Sequence, residues 1–384
     1  MNKTIAVFFG GRSTEHDISI ISALSSVIKP LELTKKYKIV PVYITKDGKW
    51  FSDDKLKNIE LYRGNAIDEF CAKSRPVSVT FDGGMVLKKS GPIKKDIRID
   101  IAFPVMHGLY GEDGSLMGLL RMAGIPFVGS DMQASVIAMD KILAKQVAQA
   151  NNISTPKFVF FSKSEFETNR DAIVDKVMNE LKFPQFVKPP HLGSSIGITK
   201  VSNRNELINA IEVAAYYDDR ILVEEAIENL IEITVPIIGN KILQTALPER
   251  PLLRDDKFFD FETKYINGGK KSSGKKMGAQ GYSELPANIH ASLYDASIDI
   301  AKKVYRMAGC EGISRIDLLI DSESKVVYFN EINPMPGSLY AHNWRASGVS
   351  SIELVERLIE LAEDRFLCDK KIETTFSSSF LKQF

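Results

Sequence analysis

Short apolar runs recur along the first third of the chain, each ending in a polar or glycine-rich break. Ile5–Phe9 reads as a buried strand running into GGRSTEHD, and a helical pattern over Ile18–Ile28 stops before Pro30. Lys38–Ile44 reads as the next strand, and residues 76–89 as a hairpin turning at Asp82-Gly83. Ile99–Val105 is a further strand that enters HGLYGEDG, followed by a helix over Ser115–Ala123 and the strand IPFVG. Strand and helix in alternation predict a mostly parallel sheet covered by helices. Ligands of such sheets bind beyond the carboxyl ends of the strands. Glu15 and His107 lie on loops at those ends.

The pattern changes around Ser130–Gln133. A helix over Ala134–Ala150 leads through NNISTPKF into strands, and FPQFVKPPHLGSSIGITKV reads as two strands joined by a Gly/Ser loop. ILVEEAI and IEITVPIIGN read as two more, turning near Asn229, with Glu224 and Glu232 flanking the turn. Lys264–Tyr282 is rich in Gly and Lys and reads as a mobile loop between strand-like segments. ISRIDLLI and VVYFNEIN form a hairpin about Ser322–Glu323, which places Arg315 opposite Glu331. A last helix starts at Ser351, with Ser350 and Glu353 as a capping box and Leu354, Val355, Leu358, Ile359 and Ala362 as its apolar stripe. No internal repeat is visible. The expected division is 1–133, 134–223 and 224–367 with a loop at 264–282, then a tail at 368–384.

Composition narrows the class without naming a chemistry. A chain of 384 residues exceeds one ordinary core. With 50 basic and 49 acidic residues, the net charge of +1 gives no general drive toward nucleic acid or anionic membrane. No apolar run is long enough to span a bilayer, and MNKTIAVFFGG lacks the apolar core of an export signal. Cys71, Cys310 and Cys368 are far apart without zinc spacing, as expected of free thiols in a reducing compartment. A soluble, cytoplasmic protein is expected.

The candidate chemistry begins at the hairpin. Side chains alternate along a strand, so Arg315 and Asp317 share a face, as do Glu331 and Asn333. Two carboxylates and an amide oxygen suit Mg²⁺ bridging phosphates, with the guanidinium beside them to meet developing negative charge. In VKPPHLGSSIG, Lys188 ends a strand, and the N–H groups of Gly193, Ser194 and Ser195 can hold phosphate oxygens. Lys141 matters if its helix faces that loop. The backbone of Glu225–Ile227 can pair with adenine, and Glu232 can accept from ribose hydroxyls. Lys264 and Tyr265 open the basic loop, where five lysines between Lys264 and Lys276 suggest a phosphate-covering lid that excludes water. The alternative, a nucleic-acid patch, needs stacking aromatics, and only Tyr265 and Tyr282 are near. Glu15 can pair with an ammonium, and His107 can orient it. A nicotinamide site is excluded in the first sheet, since GGRSTEHD lacks the G-x-G-x-x-G spacing.

The order and spacing of these segments resemble the ATP-grasp superfamily, and within it the D-alanine–D-alanine ligases. The resemblance runs from about residue 4 to 365. It rests on GGRSTEHDIS, HGLYGEDG, GIPFVGS…AMDK, VKPPHLGSSIGITKV, EITVPIIGN, FDFETKY, SRIDLL and NEINPMPG. It implies an α/β chain, α+β in its ATP-binding part, with a Rossmann-like parallel-sheet domain before an ATP-grasp fold. By position, Lys141, Lys188 and Lys264 match ATP phosphate ligands. Glu224, the Ile227 backbone and Glu232 match adenine and ribose contacts. Asp317, Glu331 and Asn333 match ligands of two Mg²⁺ ions, with Mn²⁺ as a substitute. Arg315 and the Gly337 N–H match stabilisers of the acyl-phosphate and oxyanion. Glu15, Ser194 and Tyr265 match the group around the first amino acid, with His107 and Ser338 also on the substrate side. The implied partners are ATP and D-alanine, in a homodimer serving peptidoglycan synthesis, with no nucleic acid and no membrane. Past Gly337 the chain departs from the family pattern. SLYAHNWRASG replaces a Thr/Ser-containing loop, the 264–282 loop is longer and more basic, and Met117 replaces a common Gln. Both larger changes fall on the acceptor side, so D-serine, D-lactate or another amino acid stands as an alternative second substrate. A nucleotide-binding protein without catalysis is the rival from another class.

Overall fold

The computed structural model describes residues 2–89, 95–252 and 283–384. The expected lid at 264–282, with Lys264 and Tyr265, lies outside them. β1 (Thr4–Gly10) lies inside the first sheet and is apolar and buried from Ile5 to Phe9, as a strand covered on both faces must be. α1 (His16–Ser22) runs through a π-helical segment, Ala23–Ile28, into α2 (Lys29–Thr34). The helix therefore passes Pro30 instead of stopping before it. Pro30 follows the π segment, where the i→i−4 ladder is already interrupted and a missing N–H costs little.

β2 (Lys38–Ile44) pairs parallel with β1, and β3 (Trp50–Phe51) adds an antiparallel edge. After α3 (Ala66–Lys73), β4 (Val77–Phe81) and β5 (Met85–Lys89) form the expected hairpin, extended by β6 (Ile97–Ile99). The expected strand Ile99–Val105 is split: β7 (Ile101–Pro104) joins β1 in the first sheet, while β6 stays with the hairpin. Asp100 sits at the break, its carboxylate accepting from the Thr4 N–H at 2.7 Å. α4 (Ser115–Ala123) follows as expected, but IPFVG makes only an isolated parallel bridge, Ala102 to Phe127.

The expected helix Ala134–Ala150 is two helices, α5 (Met132–Met139) and α6 (Lys141–Ala150). Asp140 leaves helical geometry between them, and its carboxylate accepts from the N–H groups of Ile142 and Leu143 at 2.9 and 3.1 Å. It caps α6, so Lys141 occupies the first helical position.

The second sheet is antiparallel, in the order β10-β9-β11-β8. It comprises β8 (Phe158–Ser162), β9 (Gln185–Lys188), β10 (Thr199–Val201) and β11 (Arg220–Glu225), covered by α7 (Lys163–Thr168), α8 (Arg170–Glu180) and α9 (Arg204–Tyr217). The third sheet starts with β12 (Leu230–Ile238) and β13 (Gln244–Thr245). β14 (Arg250–Pro251) and β15 (Ser283–Glu284) pair on either side of the undescribed segment. α10 (Ala291–Met307), β16 (Ile313–Asp321), β17 (Val327–Asn333), α11 (Ala341–Ala346) and α12 (Ser351–Asp369) complete the chain's main elements. The hairpin expected between ILVEEAI and IEITVPIIGN does not form. β11 and β12 belong to different sheets, and residues 226–229 cross from one to the other. A local reading sees two strands and a turn, but only the competing partners β9 and β16 decide the pairing.

The α12 stripe is buried in one core with Val7, Ile28, Leu31 and Trp344, so the last helix packs on the first sheet's unit. Ser350 accepts from the Glu353 N–H at 3.1 Å, but the Glu353 carboxylate turns to Arg357, so half the capping box forms. α5 and α6 bury Ala138, Ala144 and Ala148 against Phe329 of the third sheet. Among the described residues no helix is long and apolar enough to cross a membrane.

Candidate active site

β16 and β17 pair Asp317 with Glu331 and Arg315 with Asn333. The expectation that Arg315 faces Glu331 is therefore wrong by two residues. Beyond Asp317 the register shifts and Leu318 faces Phe329, leaving Asn330 as the extra residue of a bulge. That bulge turns Phe329 and Ile332 into the core while Glu331 and Asn333 face the other way. The two carboxylates thus stand directly opposite, the closest cross-strand relation a ladder offers.

Arg315 grips Asp317 side-on, with Nε and Nη2 at 2.9 and 2.5 Å from the two carboxylate oxygens. Burial opposes the Arg315 charge, but Asp317 outweighs it and holds its pKa above the ordinary value. The hydroxyl of Thr234 on β12 also reaches Asp317, at 3.1 Å. Lys141 comes from α6 to the same face, its Nζ 3.3 Å from Glu331 and 2.7 Å from the carbonyl of Leu192. Asn333 accepts from the Met335 N–H at 3.2 Å. Glu232 lies on the same face of β12, two residues before Thr234.

Lys188 ends β9 and lies 2.5 Å from Glu224. The other Glu224 oxygen lies 2.7 Å from Lys145, which is fully buried one turn after Lys141. Burial alone would raise the Glu224 pKa, but Lys145 and then Lys188 reverse this and hold it at about 2. Two cations around one carboxylate leave the trio one positive charge beside Lys188. Glu224, expected at adenine, is enclosed by these lysines and 2% exposed. Ile227 lies on the crossing between the two sheets, next to the strand that carries Glu224. Sequence reading missed Lys145, although its i, i+4 spacing from Lys141 puts both on one helix face.

The loops after β1 and β7 supply the other wall. Glu15 is buried, and its carboxylate accepts from the Ser194 hydroxyl, joining the first unit to the Gly/Ser loop. Ser194 and Ser195 both adopt left-handed backbone, φ 53° and 60°. A Cβ on Gly193 would lie 2.8 Å from a Glu15 oxygen, so any larger residue there would displace that carboxylate. His107 is buried with Nε2 3.1 Å from the Ser22 hydroxyl, and Ser22 also accepts from the Ser338 N–H at 2.9 Å. Burial lowers the His107 pKa. Its neighbour Glu112, also missed, accepts from the Gly108 N–H, and burial and then Glu15 push its carboxyl up to about 8. Arg12, Glu15, Lys46, Gly108, Tyr110 and Gly193 line a cavity of 440 Å³ on this side.

After Gly337 the backbone of Ser338, Leu339 and Tyr340 is left-handed at three successive residues, φ 52°, 53° and 49°. Such residues persist only where surrounding contacts over-determine them. Here Leu339 bonds the Pro336 carbonyl at 2.8 Å and the Tyr340 ring lies 5.1 Å under the Arg315 guanidinium. His342 follows, 3.0 Å from the buried carboxylate of Glu249, which shares two backbone hydrogen bonds with Thr234. Glu249 carried no recognisable motif.

Comparison with known proteins agrees with this architecture. Residues 4–130 match the family described as D-ala D-ala ligase N-terminus, and residues 147–360 the one described as D-ala D-ala ligase C-terminus. The D-alanine–D-alanine ligase of Chloroherpeton thalassium is 39% identical over 95% of this chain and 97% of its own. That of Clostridium acetobutylicum is 37% identical over 95% and 99%. Among solved structures, the D-alanine–D-alanine ligase from Coxiella burnetii superposes with a TM-score of 0.78 at 28% identity, covering 96% of each chain. The VanG D-Ala:D-Ser ligase from Enterococcus faecalis superposes with a TM-score of 0.77 at 32% identity, covering 94% of this chain and 100% of its own. A parallel sheet followed by two antiparallel sheets, with lysines and carboxylates meeting between them, is thus the ATP-grasp arrangement of these enzymes, and the chain belongs to the D-alanine–D-alanine ligase family.

Proposed function

We propose that this chain is an ATP-dependent carboxylate–amine ligase that joins two D-alanines for peptidoglycan precursor synthesis. One observation carries the reading: Arg315, Asp317, Glu331 and Asn333 share one sheet face with Lys141, and the Glu15–Ser194 contact brings the first unit against that face. A carboxylate is a poor electrophile, and phosphorylation gives it a leaving group. The first D-alanine, its ammonium held by Glu15, attacks the γ-phosphate of ATP with its carboxylate oxygen, releasing ADP. The amine of the second attacks the acyl-phosphate carbonyl, and phosphate departs with the carbon–oxygen bond pair. Lys141 and Lys188 neutralise phosphate oxygens, and the backbone of residues 225–227 with Glu232 takes adenine and ribose. Arg315 and the Gly337 N–H stabilise charge developing at the reacting carbonyl and phosphoryl oxygens.

The donor set fits a hard cation. Two carboxylates paired across the ladder and an amide oxygen two residues on are the oxygen ligands that Mg²⁺ or Mn²⁺ takes. Asp317, Glu331 and Asn333 would hold the metal, which when bound neutralises the transferring phosphoryl group.

A second reading keeps the activation and changes the acceptor. The similarity to a D-Ala:D-Ser ligase and the unusual Ser338–Trp344 segment favour keeping it. Phosphate release with ATP and D-alanine alone, and the dipeptide mass, test the first reading. Release that needs D-serine, D-lactate or another compound beside D-alanine would establish the second. No release with any pair, alongside ATP binding, would leave a nucleotide-binding protein without catalysis. A cytoplasmic homodimer is the assembly that goes with the first reading, and sedimentation tests it.

A further inference from the structure

The loop 189–197 carries Ser194 toward Glu15 and leans on Lys141. The Lys141 N–H bonds the Pro190 carbonyl at 3.3 Å, and its Nζ the Leu192 carbonyl at 2.7 Å. Between those two residues, His191 turns the other way. Its N–H and its Nδ1 lie 3.0 and 2.9 Å from one oxygen of Asp218, and its Nε2 lies 3.5 Å from Asp140. Asp140 is the cap of α6, so the carboxylate that sets the first turn of the Lys141 helix also faces the His191 ring. Asp218 sits between α9 and β11, leading into an interior strand of the second sheet.

The surrounding charges favour one protonation state. Asp140, Asp218 and Asp219 gather around the ring, Arg220 lies 2.7 Å from Asp140, and Arg12, Lys46 and Glu15 line the cavity on its far side. An imidazolium donates from both nitrogens, one to each carboxylate. A neutral ring donates once and turns a lone pair toward the other carboxylate. Hydrogen bonding to Asp140 and Asp218 pushes the His191 pKa up to about 9 against burial.

We propose that His191 is a positioning residue: as an imidazolium it clamps the loop 189–197 between Asp140 and Asp218, and so sets where Lys141 and Ser194 stand. The clamp adds to the Ser194–Glu15 bond and to the turn bond from the Ile196 N–H to the Gly193 carbonyl in holding two successive left-handed serines. Its catalytic consequence rests on the reading of Lys141 and Ser194 as reactant-binding groups; the clamp itself does not.

The test compares the full-length parent with His191→Gln and His191→Arg. Steady-state constants for ATP and D-alanine are taken from pH 6 to 10, and amide exchange of residues 189–197 is followed by mass spectrometry at neutral pH. At pH 7 the Gln variant is expected to raise both KM values about tenfold, the size of one lost charged hydrogen bond, with kcat changed less. Its loop amides exchange faster. The parent's KM values rise through about pH 9, the His191 pKa, while the Arg variant stays within about threefold of the parent at pH 7 and lacks that alkaline rise. Parent-like KM and exchange in the Gln variant, or an alkaline rise that survives in the Arg variant, would overturn the proposal. If the parent itself does not turn over ATP, the ligase reading fails, and the exchange rates still decide the clamp.

Discussion

The two walls of the site are built by different means. The wall proposed for the nucleotide is a strand ladder: Asp317, Glu331 and Asn333 take their places from the register of β16 and β17, over a core of Ile316, Leu318, Phe329 and Ile332. The wall proposed for the amino acids is loops, 11–16, 107–114, 189–197 and 337–342, several of them in left-handed backbone and joined to one another by side-chain bonds such as Ser194–Glu15 and Ser338–Ser22. A ladder shares its load among many equivalent contacts, so its side chains move little. A loop held by one pair can be retuned by one substitution. Chemistry common to a family suits the first, and the choice of substrate suits the second.

The largest expected effect is on the ladder. Glu331→Gln leaves the fold and its thermal midpoint near the parent's while kcat falls by at least about a hundredfold, as for loss of a carboxylate that would hold the cation neutralising the phosphoryl group. Stopped-flow phosphate release checks this, and a modest loss would mean that the sheet face is not where ATP reacts. Lys145→Met comes next. It leaves the buried Glu224 paired with Lys188 alone, so the loss is expected to fall below the ~3–5 kcal/mol of a buried charge left without any partner. Thermal unfolding should show a midpoint several degrees lower, with weaker ATP binding by calorimetry.

The loop wall should respond to pH in the opposite sense from the nucleotide wall. Glu224 has its pKa lowered from 4.5 to about 2, so its contribution is present above pH 4.5 and fades as pH falls toward 2. Glu112 has its pKa raised from 4.5 to about 8, so its burial costs stability progressively as pH rises from 4.5 to 8. Glu112→Gln should flatten that loss in melting curves taken across this window; an unchanged slope would place the titration elsewhere. The smallest effect is on strain. Ser338→Gly, which relieves one left-handed residue, should stabilise by at most about 1 kcal/mol and alter the KM for the acceptor more than that for ATP. A change confined to ATP would break the division into two walls.

The site was legible where chemistry and spacing coincide in a short stretch. RID and NEIN lie on paired strands as read, though two residues out of the expected register; Lys188 ends its strand before the Gly/Ser loop, and Lys141 meets Glu331 on the face turned away from the third sheet's core. What escaped notice had no local signature. Lys145 looks like any helical lysine until Glu224 is seen beside it, Glu249 is a single acid in an unremarkable context, and nothing within HGLYGEDG shows that Glu112 is buried. Boundaries failed for a related reason. Pro30 stops an ordinary helix but not one already interrupted by a π segment, and Asp140 reads as helical until its carboxylate caps the next turn.

Sequence alone determined the class of element at most positions, the order of the chemistry along the chain and the family, because period and motif are properties of neighbouring residues. Tertiary structure decided which strands pair, which acids are charged and which loops touch. β11 chose β9 over β12, the bulge at Asn330 set Asp317 opposite Glu331, and Glu15 met Ser194 from 179 positions away. Each of these depends on competition among partners distant in the chain, and their energies are fixed only when burial removes water from around them.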